Sequence, residues 1–198
     1  PREAKESHEW EHWKAVEEKE MHGRVDNGVW EKIARPMDKL VVGTEMLYKR
    51  KVSKDGKVEK YKCRLVAQGF RQVEGVHYTE KYSPMSATAS IRALLATAAA
   101  KDGELRHFDA EQAFLDADID EEVYIEIPEG FQHFPGAVDK LNKAIYGLVQ
   151  AGRCWNIKFC DDMTAIGFEQ SRADPCMFRK VIDGEVEMVV VVHVDGIL

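Results

Sequence analysis

The sequence lacks three features that would each define a class of protein. It has no run of about 18 apolar residues, so no membrane span is expected. Its first residues are charged and polar, which predicts no secretory signal. Only four of its 198 residues are cysteine and none forms a C-x-x-C pair. Free thiols in a reduced, intracellular compartment are therefore favoured over a disulfide framework or a zinc site.

Basic residues are fewer than acidic ones, 28 against 35, and the net charge is −7. This excess of acid argues against nucleic-acid binding, because proteins that bind nucleic acids usually carry a basic surface. The charge is unevenly distributed, however. Residues 49–71 hold nine basic and two acidic side chains, whereas residues 102–129 hold one basic and eleven acidic ones. A solvated surface is the ordinary interpretation of both segments, but a basic segment in strand-like sequence keeps nucleic-acid binding open.

The patterns that are present mix helices with hairpins, and 44% of the residues are hydrophobic and available for a core. The predicted helices are 3–22, 83–101 with Ser83 as its cap, and 151–166. The predicted strands are 46–52, 57–67, 105–110, 123–127, 176–182 and 186–194. Hairpins combined with helices predict an α+β fold.

Two aspartates stand at the ends of predicted strands, Asp109 and Asp195. Strand-end carboxylates that converge can hold divalent cations, because magnesium prefers hard oxygen ligands. Two such ions can activate a 3′ hydroxyl and stabilise a leaving pyrophosphate. Aspartates in turns are usually structural, so position alone leaves both interpretations open.

Seven segments occur in an order and spacing that is more specific than any one of them. They are an opening pattern with Trp13, Glu20, Asn27 and Trp30, YKCRLVAQGF at 61–70, YSPM at 82–85 with SIR at 90–92, FDAEQAFL at 108–115, EVYIEIPEGF at 122–131, IYGLVQAGR at 145–153 and HVDG at 193–196. Together they resemble the reverse transcriptase, an RNA-directed DNA polymerase, of Ty1/copia-type retrotransposons. The resemblance implies a right-hand polymerase whose antiparallel palm sheet has helices on one face. Residues 1–108 would form an N-terminal helix and a fingers-like region, and residues 109–198 mainly the palm, ending after the second catalytic motif.

The same resemblance implies roles for single residues. Asp109 and Asp195 would be catalytic and would bind two magnesium ions, or manganese, with the carbonyl of Ala110 as a further ligand. The residues that would contact the nucleotide are Lys62 and Arg64 at the triphosphate, Phe114 as a steric gate beneath the sugar, and Gly147 and Gln150 in the pocket. The implied partners are an RNA or DNA template–primer, deoxynucleotides and the rest of a retroelement polyprotein, with its thumb, RNase H and integrase. The implied location is a cytoplasmic virus-like particle or the nucleus.

Four positions depart from the family pattern. Gly196 stands where the second aspartate of a tandem pair is usual, His193 replaces a tyrosine, Val149 a lysine and Gly152 a proline. Gly196 removes one charge and one potential ligand, and a glycine is expected to loosen the turn that directs Asp195. The departures together predict that this copy is impaired as a polymerase.

Two other interpretations remain. A non-catalytic remnant of the same fold would bind nucleic acid through residues 49–71 and perform no chemistry. The segment from His8 to His12 also fits H-E-x-x-H, in which two histidines one helical turn apart bind zinc and Glu9 acts as a general base. A zinc protease of this kind would need a third ligand, such as Glu31 or Glu45. A solvated charged helix is the ordinary interpretation of the same segment.

Overall fold

A computed structural model describes residues 2–131 and 134–198 of the chain, and these residues form both helices and strands. The helices are α1 (Arg2–Lys5), α2 (Trp10–Asp26), α3 (Thr88–Ala100), α4 (Ala113–Asp116) and α5 (Ala151–Ala165), with a 3₁₀ helix at Gly69–Arg71. The strands are β1 (Trp30–Ala34), β2 (Val41–Val42), β3 (Thr44–Val52), β4 (Val58–Ala67), β5 (Phe108–Asp109), β6 (Tyr124–Glu126), β7 (Ala137–Leu141), β8 (Glu169–Gln170), β9 (Met177–Ile182), β10 (Glu185–His193) and β11 (Gly196–Ile197). Within these residues no helix is both long and apolar enough to cross a lipid bilayer.

The strands form three sheets. A five-stranded sheet has the order β5-β11-β10-β9-β8, and every neighbouring pair in it is antiparallel. A four-stranded sheet has the order β1-β7-β6-β2, with β2 parallel to β6. The third sheet is the hairpin of β3 and β4. The α+β class is confirmed, whereas the division into fingers and palm at residue 108 stays a prediction.

Both hairpins predicted from their turn residues are present. Asp183 and Gly184 join β9 to β10 with φ of 51° and 85°, the two positive values that a type I′ turn requires. The turn between β3 and β4 contains Gly56 at φ 79°. Few residues other than glycine and aspartate adopt this left-handed conformation at low cost, so the local sequence determines where these strands reverse.

An aromatic cluster joins α5 to the five-stranded sheet. The ring of Phe159 lies 5.6 Å from that of Trp155 on the same helix and 5.5 Å from that of Phe178 on β9. On β10, Val191 and Val192 point to opposite faces and both are buried. The sheet is therefore covered on both faces at this point. The run of β-branched residues at 189–192 does lie in a central strand, and the strand is buried at Val191 and Val192 and half-buried at the two residues before them.

The start of α3 differs from the predicted one. Ser83 is not the cap, because the helix begins at Thr88 and the Ser83 hydroxyl donates instead to the carbonyl of Gly152 at 3.0 Å. The main-chain N–H of Ala87, at the N-cap, donates to the carboxylate of Asp174 at 3.0 Å. The group that accepts at this end of the helix thus comes from a distant part of the chain, which a local pattern does not reveal.

A buried carboxyl group lies in the middle of β7. Asp139 is 0% exposed, and within the described residues neither of its carboxylate oxygens has a hydrogen-bond partner. Burial raises the pKa of Asp139 from 3.8 to about 6. Lys32, which lies opposite Asp139 on the neighbouring strand β1, lowers this pKa through its charge. Ionised Asp139 therefore destabilises the folded chain.

Replacing Asp139 with asparagine is expected to change stability in a pH-dependent way. Between the unfolded pKa near 3.8 and the folded pKa of about 6, the folded chain holds the extra proton, so stability of the parent falls as pH rises through this window. Asparagine does not ionise. The free energy of unfolding of Asp139→Asn, relative to that of the parent, should therefore increase by about 1–3 kcal/mol between pH 4 and pH 7. Urea unfolding at the two pH values measures it. The control is Asp161→Asn, at an exposed position. If Asp139→Asn changes the free energy of unfolding by the same amount at both pH values, the expectation is wrong.

Candidate metal and nucleotide site

Strand pairing brings Asp109 and Asp195 to the same edge of the five-stranded sheet. Asp109 ends β5 and lies opposite Gly196 of β11. The next residue, Ala110, donates its main-chain N–H to the carbonyl oxygen of Asp195 at 2.8 Å. Both aspartates are exposed. Asp109 therefore lies on a strand whose neighbour, β11, is about 5 Å away and begins directly after Asp195.

The turn that carries Asp195 is short and is hydrogen-bonded on both sides. Strand β10 ends at His193 and β11 begins at Gly196, so Val194 and Asp195 alone connect them. The indole N–H of Trp155 donates to the carbonyl oxygen of Val194 at 2.7 Å. On the other side, Nδ1 of His193 lies within hydrogen-bond distance, 2.9 Å, of the hydroxyl of buried Ser86. The turn is thus held from α5 and from the segment before α3.

The conformation of this turn does not require a glycine at position 196, and whether Gly196 loosens the turn stays a prediction. Gly196 lies in β11 outside the left-handed region, and the positive φ of the turn, 60°, belongs to Val194. A Cβ added at Gly196 would meet the carbonyl oxygen of His193 at 3.5 Å and Nε2 of His107 at 3.6 Å, both ordinary contacts. Compared with an aspartate, the glycine lacks a negative charge, and the backbone would accommodate a carboxylate there.

The donor set at this edge is small and consists of hard oxygen atoms. Across residues 2–131 and 134–198, no group of three or more histidine, cysteine, aspartate or glutamate side chains is arranged to hold a metal ion. Asp109, at the end of β5, and Asp195, in the turn before β11, supply two carboxylates. This chemistry suits magnesium, which takes one or two protein carboxylates and completes its shell with water and substrate phosphates.

Three residues from separate elements meet beside the aspartates. The ring of Tyr146 packs edge-to-face against Phe114 with centroids 4.9 Å apart, and the guanidinium of Arg64 lies 4.4 Å from the centre of the same ring. Burial raises the pKa of the Tyr146 hydroxyl, Arg64 opposes this shift and the charge of Asp195 adds to it. Tyr146 therefore contacts the predicted gate, Phe114, and a predicted phosphate ligand, Arg64, and it lies close enough to Asp195 to feel its charge. Tyr146 lies within the IYGLVQAGR segment, whose pattern predicts no role for this residue.

Gly147 lies where two main-chain segments approach each other closely. Its φ is 90°, and an added Cβ would lie 2.2 Å from the carbonyl oxygen of Ala67 on β4. The N–H of Ala67 donates to the carbonyl oxygen of Tyr146 at 2.8 Å. A side chain at Gly147 would separate β4 from the segment before α5. Its contact with a nucleotide stays a prediction.

Gln150 is fully buried and its amide is used inside the protein. The amide nitrogen donates to the carbonyl oxygen of His77 at 2.8 Å and to the carboxylate of Glu121 at 3.2 Å. The amide oxygen accepts from the side chain of Gln72 at 2.9 Å. Gln150 thus connects three segments at the start of α5, and its predicted contact with a nucleotide is not tested by these bonds.

Five cations share the face of the β3–β4 hairpin that points away from α2. They are Lys49, Lys51, Lys60, Lys62 and Arg64, called here the basic face. The opposite face packs on α2, where Tyr48 donates to Glu17 at 3.0 Å. Since side chains alternate along a strand, the basic face is turned away from the helix.

The basic face is electrostatically unfavourable in the isolated chain. Lys49 lies opposite Lys62, and Lys51 lies opposite Lys60. Like charges placed directly across two strands destabilise a hairpin. Burial and neighbouring cations, Arg64 first, lower the pKa of Lys62. Within the described residues none of the five cations forms an ion pair. This surface would be stabilised by an anionic partner.

The H-E-x-x-H segment is not one continuous helix. α2 begins at Trp10, so the predicted helix over 3–22 is interrupted and His8 lies before its first residue. The carboxylate of Glu9 accepts from Arg50 at 3.1 Å and from the Tyr61 hydroxyl at 2.9 Å. The ring of His12 stacks on Tyr61 at 5.1 Å. These side chains attach α2 to the β3–β4 hairpin, which gives them a structural role.

Comparison with known proteins gives consistent matches. The family model described as reverse transcriptase (RNA-dependent DNA polymerase) matches residues 27–198. The Pol polyprotein from transposon TNT 1-94 of Nicotiana tabacum is 36% identical over 190 residues, which is 93% of this chain and 14% of that protein. The Pol polyprotein from transposon RE1 of Arabidopsis thaliana is 33% identical over 201 residues, covering 100% of this chain and 14% of that protein. A putative transposon Ty5-1 protein of Saccharomyces cerevisiae is 33% identical over 93 residues, or 46% of this chain and 30% of that protein.

The chain spans 14% of the length of the first two of these relatives. No solved structure matches it.

Proposed function

Because this chain belongs to the reverse transcriptase family of copia-type retrotransposons, we propose that it forms the fingers and palm of an RNA-directed DNA polymerase. The observation that carries the proposal is the pairing of β5 with β11. It places Asp109 against the turn that bears Asp195, at one exposed edge of an antiparallel sheet. The strand ends that the family resemblance assigned to catalysis are thus adjacent in space.

The two carboxylates would hold divalent cations, with the carbonyl of Ala110 as a further ligand. Bound magnesium would supply the charge that activates a primer 3′ hydroxyl and stabilises the leaving pyrophosphate. The protein holds Asp109 in a strand and Asp195 in a turn that is bonded on both sides, so these ligands are fixed before substrate arrives. Fixed ligands need little reorganisation during the reaction.

The neighbouring side chains suit a deoxynucleotide triphosphate. Arg64 and Lys62 share one face of β4, so both can point to the same phosphate group. Arg64 stacks on Tyr146, which directs its planar donors. Phe114, held edge-to-face by the same tyrosine, would act as the steric gate that excludes a ribose 2′ hydroxyl.

The basic face would bind the template. Five cations without ion pairs in the described part of the chain match a phosphate backbone, which is bound without regard to sequence and with strong salt dependence. The complete polyprotein, with thumb, RNase H and integrase, would supply the remaining contacts, and the polymerase would act in a virus-like particle or the nucleus.

This copy would be impaired, because Gly196 leaves the site with two carboxylates. A second candidate function follows from the same residue. A chain that binds nucleic acid through the basic face but binds metal poorly would be a non-catalytic, nucleic-acid-binding remnant of the same fold. Binding of duplex in a salt-dependent way without primer extension would favour this alternative.

Removing either carboxylate tests the proposal directly. Manganese binding, followed by electron paramagnetic resonance, is expected to weaken by on the order of tenfold or more in Asp109→Asn and in Asp195→Asn, because each change removes a ligand charge. Asp161→Asn, on the exposed side of α5, is the matched control and should bind like the parent. If both site variants bind manganese as well as the control does, the ion lies elsewhere and the proposal is wrong.

A further inference from the structure

The turn between β10 and β11 is strained at its first residue. Val194 has a φ of 60°, a left-handed conformation that β-branched residues rarely adopt. Its side chain is 46% exposed, so close packing of the side chain does not offset the strain. Such a conformation persists only where surrounding contacts determine it.

Two hydrogen bonds hold the peptide groups on either side of Asp195. The carbonyl of Val194, in the peptide before Asp195, accepts from the indole N–H of Trp155 at 2.7 Å. The carbonyl of Asp195, in the peptide after it, accepts from the N–H of Ala110 at 2.8 Å. With both peptide planes fixed, the direction of the Cα–Cβ bond of Asp195 is fixed too. The second bond belongs to the sheet, so Trp155 supplies the one that involves a side chain.

Trp155 is itself held in place. It lies on α5, is 9% exposed and packs against Phe159, which in turn packs against Phe178 of β9. The hydrogen bond therefore connects a rigid aromatic cluster to an exposed turn. If the N–H is lost, the carbonyl of exposed Val194 can bond water, so the cost to folding is small. The cost to the orientation of Asp195 is larger, because water does not fix a peptide plane.

We propose that Trp155 is a positioning residue of the metal site, which directs the carboxylate of Asp195 by holding the carbonyl of Val194. The inference rests on the proposed function, because it assumes that Asp195 binds a cation. Trp155 itself does not touch the metal. Residues that support metal ligands in this way typically change metal affinity by about 10- to 100-fold when they are replaced.

A pair of tryptophan variants separates this role from simple packing. Trp155→Phe keeps an aromatic ring and loses the donor. Trp30→Phe makes the same change at a side chain of similar exposure, 7%, whose indole nitrogen has no hydrogen-bond partner within the described residues. Manganese affinity should fall by on the order of tenfold in Trp155→Phe and stay at the parental value in Trp30→Phe. The free energy of unfolding, measured in urea, should fall in both variants alike.

A second measurement needs no variant. The chain has four tryptophans, so four indole N–H signals are expected in a nitrogen–proton NMR spectrum. Titration with manganese should broaden the Trp155 signal first, and titration with magnesium should shift it. Trp10, Trp13 and Trp30 are the internal controls, because none of them is hydrogen-bonded to the turn that bears Asp195.

The possible outcomes distinguish the inference from its premise. If neither the parent nor Gly196→Asp binds manganese, the proposed function is wrong and this inference with it. If the parent binds manganese and Trp155→Phe binds it equally well, the inference alone is wrong. Should Trp155→Phe fail to fold, the NMR titration of the parent decides, and a Trp155 signal that both ions leave unchanged overturns the inference.

Discussion

Gly196→Asp is expected to raise manganese affinity by on the order of tenfold, because cation sites of this kind are tuned by the number of ligand charges. The structure has room for this side chain. The backbone of Gly196 is not left-handed, and an added Cβ would meet only ordinary contacts at 3.5 and 3.6 Å. The two other carboxylates of the proposed site lie on adjacent segments, since β5 with Asp109 pairs with β11, which follows Asp195.

Primer extension on an RNA template should respond more strongly than metal affinity. Substrate phosphates share the metal ions, and a displacement of about 1 Å in such a site can cost on the order of a hundredfold in rate. An increase of about that size is expected for Gly196→Asp over the parent, with magnesium or manganese present. Little or no extension is expected for the parent chain, and efficient magnesium-dependent extension by it would show that the impairment does not exist.

Two further variants serve as controls for this experiment. Gly196→Asn adds nearly the same volume without the charge and should behave like the parent. His107 is the first side chain that an added group would approach, with Nε2 at 3.6 Å from the Cβ position. Combining Gly196→Asp with His107→Gln removes the imidazole that the new carboxylate would approach. If all these variants are equally inactive, the departures at His193 and Val149 explain the impairment better than Gly196 does.

Neutralising one cross-strand pair of the basic face is expected to weaken nucleic-acid binding without weakening the fold. Lys51 and Lys60 lie opposite each other on β3 and β4, and neither forms an ion pair within the described residues. The double variant Lys51→Gln, Lys60→Gln should lower affinity for single-stranded RNA by roughly 10- to 30-fold at 0.1 M salt. The slope of log affinity against log salt should fall in magnitude by about 1.4, since each phosphate contact contributes about 0.7.

Stability should move in the opposite direction. Relief of repulsion between like charges is worth about 0.2–1 kcal/mol, so the free energy of unfolding of the double variant should equal or exceed that of the parent. The charge control for RNA binding is Arg179→Gln with Lys180→Gln on β9, which changes the net charge by the same amount on another sheet. Its stability is not compared, because Arg179 forms an ion pair with Glu169. If the control weakens RNA binding equally, the affinity reflects overall charge, and the basic face is not the binding surface.

The sequence predicted those elements whose signals are local. The turn at Asp183 and Gly184 and the helix ending before Gly167 depend on residues that tolerate positive φ. The strand around Val191 depends on β-branched residues. Each of these was found because the information lies within a few neighbouring residues.

Elements that depend on distant partners were missed or misplaced. Strands β1, β2 and β7 were not predicted, because they are short and are held mainly by pairing with each other and with β6. The start of α3 was placed too early, because the carboxylate at its N-terminus is that of Asp174. The interruption before Trp10 was also missed, where Glu9 instead binds Arg50 and Tyr61 of the β3–β4 hairpin.

The sequence by itself determined the family, the α+β class and the identity of the two strand-end aspartates, since order and spacing of residues are properties of the chain. Only the tertiary structure decided that Asp109 faces Gly196, that the strain of the turn falls on Val194, and that Trp155 and Tyr146 adjoin the site. The physical reason is that hydrogen bonds and ring contacts between distant segments depend on how sheets and helices pack. A single sequence carries no local signal for that packing.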